Sequence, residues 1–231
     1  MAQYVGVDGC RSGWFAAWMH NGEPQGKIFP SITDVRQYHS DAIKMLVDIP
    51  IGLLGDTERQ VEGIIRGQLG PRRSSVFPVP CHEAAYAPDY ATANQLNRRH
   101  LGKGLSKQAW FISHKIREVN DYLMANPDAV GVLAESHPEL CFATLCGQPL
   151  SHNKKSEQGV KQRLEALQLV LPRVDEFIEQ QMKRYKRREL SCDDCLDALV
   201  LLATASRALS LNGPVQLGVG DIPIQLWIPA S

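Results

Sequence analysis

A chain of 231 residues is long enough for one α/β domain, and 44% hydrophobic against 22% charged residues excludes a disordered or fibrous chain. Lys plus Arg and Asp plus Glu stand at 25 each, so the net charge is zero and a generic basic coat for nucleic acid is excluded. Local basic surfaces remain open, because positive charge gathers at Arg72-Arg73, at Arg98-Arg99-His100 with Lys103 and Lys107, at Lys154-Lys155, and from Lys183 to Arg188. No apolar segment approaches the roughly 20 residues of a membrane span. The first residues lack the basic-then-apolar pattern of a secretory leader. The irregularly spaced cysteines read as reduced thiols. A cytoplasmic protein without membrane association is the expectation.

In chain order, residues 3–8 form a β-rich run that ends on Asp8 and enters the turn Gly9-Cys10-Arg11-Ser12-Gly13. A second apolar run over 14–19 meets a tight reversal at His20-Asn21-Gly22-Glu23-Pro24, and a third strand over 26–29 completes an antiparallel meander. Ser31-Ile32-Thr33-Asp34 predicts a helix start capped by Ser31 or Thr33. Residues 44–49 form a compact apolar strand that runs through Asp48 into Pro50. From 52 to 91 the chain is rich in Gly, Pro and Arg, which predicts loops with one amphipathic helix near 57–67. Trp110, Ile112, Ile116, Val119 and Leu123 recur at helical intervals in a helix over 106–125. A strand over 129–134 leads into Glu135. Helices follow over 157–171 and 174–187, divided by Pro172, then over 193–209, with a late strand over 222–228. The order predicts a single domain over 1–231. Its mixed sheet has three antiparallel strands and then parallel ones, flanked by helices, with a loop-rich helical insertion at about 52–127.

Acids recur at strand ends. Asp8, Asp48 and Glu135 each follow a hydrophobic run, at the sheet edge where ligands gather in open α/β folds. Carboxylates that neighbouring strands bring together raise one another's pKa unless a cation neutralises them. Mg2+ or Mn2+ suits that role through its preference for oxygen ligands. In Asp193-Asp194-Cys195-Leu196-Asp197-Ala198-Leu199, Asp194 and Asp197 share a helix face beside an apolar stripe. Asp193 has a plainer role at the positive helix end, whereas Asp197 lies deep enough in the apolar run to need a partner. Asp8, Asp48, Asp194 and Asp197 are therefore the candidate metal ligands, and with Glu135 they make the candidate catalytic set. Two metals about 4 Å apart, bridged by Asp8, would activate a water and stabilise a departing alkoxide in phosphodiester cleavage. Arg72 and Arg73 are candidates for gripping a phosphate. Lys155, just ahead of a helix start, and His137, expected at the pocket wall, complete the candidate substrate-binding set. Cys192-Asp193-Asp194-Cys195 has the spacing of redox or zinc motifs, but its context favours buried reduced thiols.

Val5-Gly6-Val7-Asp8-Gly9-Cys10-Arg11-Ser12-Gly13-Trp14 resembles the opening motif of domain-of-unknown-function family 429, described as predicted nucleases with a ribonuclease-H-like fold. Asp48-Ile49-Pro50-Ile51-Gly52-Leu53 resembles its second motif, and Arg72-Arg73-Ser74-Ser75-Val76-Phe77 with Pro80 its third. Glu135-Ser136-His137-Pro138-Glu139, Lys154-Lys155 and Asp193-Asp194 through Leu199 resemble the later ones, in order along nearly the whole chain. Asp194-Cys195-Leu196-Asp197-Ala198-Leu199 is also similar to the last-helix motif of Holliday-junction resolvases, with Asp8 and Asp48 as the companion acids. The resemblance implies a ribonuclease-H-like fold and a metal-dependent hydrolase acting on phosphodiester bonds, with a nucleic-acid or nucleotide substrate. A homodimer is compatible with it, since resolvase-like relatives often pair. Two other readings share the fold. One is a nucleotide phosphate-handling enzyme of the actin-like or sugar-kinase branch, for which only Gly9 to Gly13 resembles a phosphate hairpin. The other is a non-catalytic nucleic-acid-binding or scaffold domain.

Overall fold

Two tight reversals make the first sheet edge. A computed structural model describes residues 3–211, 213 and 216–230. Within it β1 (Gln3–Cys10) turns at Gly13 into β2 (Gly13–His20), and Asn21-Gly22 turns β2 into β3 (Glu23–Phe29). Asn21 and Gly22 have φ of 50° and 80°, the left-handed pair that a two-residue hairpin requires. Next come α1 (Ile32–Tyr38) and β4 (Ala42–Val47). Ser31 caps α1, its hydroxyl accepting from the Asp34 N–H while Asp34 reaches back to the Ser31 N–H.

The expected insertion is more helical than its composition suggests. It holds α2 (Val61–Leu69), the short α3 (His82–Ala85), α4 (Tyr90–Leu101) and α5 (Lys107–Ala125). Asp89 caps α4 by accepting the Thr92 N–H, and Gly102 ends it at φ 67°. Because α4 buries only Ala93 and Asn97, it carries no hydrophobic stripe to betray it. Then come β5 (Leu133–Ser136), α6 (Pro138–Cys146), α7 (Glu157–Gln168), α8 (Val174–Arg184) and α9 (Cys192–Ala205). The helix expected over 193–209 stops at Ala205, and the chain returns as the edge strand β6 (Ala208–Ser210). The single strand expected over 222–228 is divided by Gln225. A small ladder of β7 (Gln216–Leu217) and β8 (Pro223–Ile224) precedes β9 (Leu226–Pro229).

The main sheet runs β3-β2-β1-β4-β5-β9-β6. β1 to β3 form an antiparallel meander, β1, β4, β5 and β9 are parallel, and β6 closes the far edge antiparallel. This is the mixed, ribonuclease-H-like arrangement. One face packs Phe15, Leu46 and Ala134 against α7, α8 and α9. The other packs Val7, Met45, Val47 and Leu133 against α1 and α5. In α9 every residue from Cys195 to Ala205 is buried, each Leu or Val contributing about 1.5–3 kcal/mol of burial. Among the described residues, no helix is long and apolar enough to cross a membrane.

Candidate metal centre

Side-chain parity decides which acids meet. Successive side chains on a strand point to opposite faces. Leu46 lies in the α9-side core and Val47 in the opposite one, so Asp48 falls on the α9 side. Asp8 pairs across strands with Phe15, also on the α9 side. β1 and β4 are parallel with Val7 beside Val47, and the Asp48 N–H extends the ladder to the Val7 carbonyl at 3.0 Å. Asp8 and Asp48 are thus neighbours on adjacent strands, under α9.

Gly6 brings α9 down onto them. A Cβ there would lie 2.0 Å from the Ala198 carbonyl oxygen and 2.3 Å from the Leu202 nitrogen, so only glycine allows the helix backbone this close to β1. Asp197 immediately precedes Ala198, and Asp194 lies one turn earlier. Asp194 is part of a capping box, since its carboxylate accepts the Ser191 N–H at 2.9 Å while its own N–H donates to the Ser191 hydroxyl. Asp197 is 1% exposed; its Oδ2 accepts from the Lys154 ammonium at 2.6 Å, and its Oδ1 is buried with no hydrogen-bond partner among the described residues. Asp193 lies 3.9 Å from the same ammonium. Among the described residues Asp8 accepts only the N–H of its neighbour Gly9, at 2.7 Å.

The electrostatics follow from this crowding. Burial pushes the Asp8 pKa well above the usual carboxylate range, and Asp48, Asp197 and Asp194 push it further, against the pull of Lys154. Asp48 is pushed up to about 7 by burial and then by Asp197. Burial likewise raises Asp194 and Asp197, the latter against Lys154. Burial alone would lower the Lys154 pKa, yet Asp197, Asp8 and Asp48 hold it above the ordinary lysine range. Among the described residues no group of three His, Cys, Asp or Glu side chains stands ready as a complete ligand set. The donors nevertheless fit Mg2+ or Mn2+, which Asp and Glu oxygens hold through one or two carboxylates with water and substrate oxygens completing the shell. The unpartnered Asp197 Oδ1 marks a local demand for a cation or donor.

The remaining candidates make other contacts, and Glu135 and His137 do so beside Asp48, with which they line a small cavity. Glu135, expected among the catalytic acids, has the parity of Leu133 rather than that of Asp48, yet it stays close enough to help raise the Asp48 pKa. It accepts from the Arg59 guanidinium at 2.6 and 2.7 Å and from the Ile51 N–H at 2.7 Å, an ion pair that pins the loop just after Asp48. Arg72 faces Glu139 at 3.6 Å, and Glu139 is also paired with the fully buried Arg163. Neither Arg72 nor Arg73, which is exposed with its side chain unpaired among the described residues, stands with the acids. His137 caps α6, its Nδ1 accepting the Leu140 N–H at 3.4 Å, and burial lowers its pKa to about 4, so the ring is neutral. Lys155 is exposed; its neighbour Lys154 is the lysine that enters the cluster. Sequence reasoning singled out the Lys154-Lys155 pair but chose Lys155 for the site, and it missed Arg59. Arg59 carried a signal in its i,i+3 spacing from Glu62, which it meets at 3.2 Å.

A cavity of about 1310 Å³ opens beside the cluster, reached through Gly9, Arg11, Lys155, Arg187, Arg188 and Asp194. Most of its acids are engaged: Glu118 accepts from the Trp14 indole and the Ile32 N–H, Glu189 from the Lys186 N–H, and Asp194 caps α9, while Asp193 lies 3.9 Å from Lys154. Arg11, Arg187 and Arg188 make no side-chain hydrogen bond or ion pair among the described residues. Three free arginines stand against one loosely paired acid, so the uncommitted charge of the groove is mainly positive. A family model described as "Protein of unknown function (DUF429)" matches residues 6–220. No curated protein and no solved structure matches the chain.

Proposed function

The chain belongs to the DUF429 family, and because that family is described as of unknown function we propose an activity from the site itself: a divalent-metal-dependent nuclease or phosphodiesterase. The observation that carries this reading is the pairing of Asp8, buried, and Asp48, half-buried, neighbouring carboxylates with no ion-pair partner of their own among the described residues, close to a groove that Gly9, Asp194 and three free arginines line. The paired acids would hold Mg2+ or Mn2+, which when bound would supply Lewis-acid stabilisation of phosphoryl charge and activation of the attacking water. Asp194 and Asp197 extend the negative field from α9. Glu135 acts by position, holding the Ile51 N–H and hence the loop that carries Asp48.

Arg11, Arg187, Arg188 and Lys155 offer phosphate contacts along the groove. Its volume exceeds the roughly 300–1,000 Å³ of small-molecule sites, which favours a nucleic-acid strand over a single nucleotide. Free cysteines, Cys10, Cys81, Cys141, Cys146, Cys192 and Cys195, support action in a reducing compartment such as the cytoplasm. The test is cleavage of a labelled panel of single-stranded, duplex, branched and hybrid DNA and RNA with Mg2+ and Mn2+, beside Asp8→Asn and Asp48→Asn prepared identically. Metal-dependent cleavage that disappears in both variants is expected. Cleavage that persists in them, or none with any substrate, overturns the reading.

A further inference from the structure

Each carboxylate of the cluster has a different degree of commitment. Asp194 is tied into the α9 capping box. Asp197 is tied by Oδ2 to Lys154. Among the described residues Asp8 and Asp48 form no ion pair and feel Lys154 only at longer range, and ionised together they carry the charge that one divalent ion neutralises.

Lys154 is a built part of this arrangement. It lies between Asn153 and Ser156, and that turn is clamped onto α7. The Asn153 carbonyl accepts from the Ser156 N–H at 2.9 Å and the Ser156 hydroxyl at 2.8 Å. The Ser156 hydroxyl in turn accepts the Gly159 N–H at 3.0 Å. Gly159 is required for the fit, because a Cβ there would lie 1.8 Å from the Asn153 carbonyl oxygen. The fully buried Arg163 supports the same turn through the His152 carbonyl at 3.4 Å. The ammonium is aimed at the acids by backbone geometry.

We propose that the site takes a single divalent cation on Asp8 and Asp48, and that the Lys154 ammonium on Asp197 is a tethered second cation that serves in place of a second metal ion. This rests on the metal-dependent reading above and departs from the two-metal expectation drawn from the acid pattern. Three observations converge on it. The ammonium and Asp197 Oδ2 are 2.6 Å apart, which takes from a second metal the oxygen it would need. No three acids among the described residues form a complete ligand set, while one or two carboxylates suffice for Mg2+. The buried Asp197 Oδ1 has no partner among the described residues, so the cluster still lacks positive charge or a donor after Lys154 is counted. Lys154 is in this account a positioning and charge-supplying residue whose place a divalent ion takes when it is removed.

The experiment is metal counting on the purified full chain without substrate, by Mn2+ titration read by calorimetry and by electron paramagnetic resonance. The wild type is expected to bind one Mn2+ per chain, Lys154→Arg one, and Asp8→Asn none. Lys154→Met is expected to bind two, with the line broadening of a coupled pair. Two ions in the wild type, or one ion with unchanged affinity in Lys154→Met, overturns this inference and leaves the nuclease reading standing. No binding by the wild type overturns both. Should Lys154→Met fail to fold, Lys154→Gln is counted in its place, with two ions again expected and one ion of unchanged affinity overturning the inference.

Discussion

Gly6→Ala is the most economical perturbation of the site, because it changes no charge and no candidate ligand. The added methyl would stand 2.0 Å from the Ala198 oxygen and 2.3 Å from the Leu202 nitrogen, and both are backbone atoms that no side-chain rotation can move aside. Ordinary contact begins at about 3.4 Å, so α9 has to retreat by more than about 1 Å. Overpacking of this kind costs about 1–3 kcal/mol. The upper end applies here, since α9 is a 14-residue helix buried from Cys195 onward and cannot yield locally. For a chain of this size about 3 kcal/mol corresponds to a fall in Tm of roughly 6–12 °C. Asp197 travels with Ala198, so the retreat also pulls Asp197 and Lys154 away from Asp8. Thermal unfolding followed by circular dichroism, with Mn2+ affinity measured on the same samples, checks both effects. A Tm within about 2 °C of the wild type together with unchanged Mn2+ affinity would refute the claim that Gly6 sets the helix-to-strand distance.

Three further outcomes follow from the same geometry. Asp48 is held near pKa 7 in the fold against about 3.8 when exposed, so the folded chain keeps a proton that the unfolded chain gives up, and this group's contribution falls as pH rises from about 4 to 7. The buried His39 and His137, lowered to about 4, tilt stability the other way over the same range, so the informative quantity is the difference between the wild type and Asp48→Asn in urea with EDTA. Asp48→Asn should gain on the wild type between pH 5 and 8, and a constant difference would contradict the crowded-acid picture. Arg59→Met leaves Glu135 buried without its partner and should cost about 3–5 kcal/mol in urea unfolding. Arg59→Met/Glu135→Gln should recover part of that stability, and a single-variant cost under about 1 kcal/mol would show the pair to be dispensable. Arg187→Ala/Arg188→Ala should weaken oligonucleotide binding in fluorescence anisotropy and flatten its salt dependence, by about 0.7 in log–log slope for each single-strand phosphate no longer neutralised. An unchanged slope would remove these arginines from the substrate path.

The features that sequence determined by itself are local. Asn21-Gly22 specified a hairpin because both residues accept positive φ, Ser31 with Asp34 specified a helix start, and the apolar runs ending in Asp8 and Asp48 specified strands that carry acids to one sheet edge. Pro172 placed the break between α7 and α8 for the same kind of reason. Tertiary structure alone decided which of these acids meet. Strand parity reverses with a one-residue shift, so the same reasoning that put Glu135 at a strand end left its face open, and only the packed sheet paired it with Arg59 while keeping it near Asp48. The choice of Lys154 over Lys155 likewise required the turn clamped on α7, because the ammonium meets an acid 43 positions away in the chain. The closeness of α9 to β1 was written as one glycine, Gly6, whose meaning appears only when the Ala198 carbonyl stands against it. Contacts between distant parts of the chain depend on how whole elements pack, and no local pattern of residues encodes that distance.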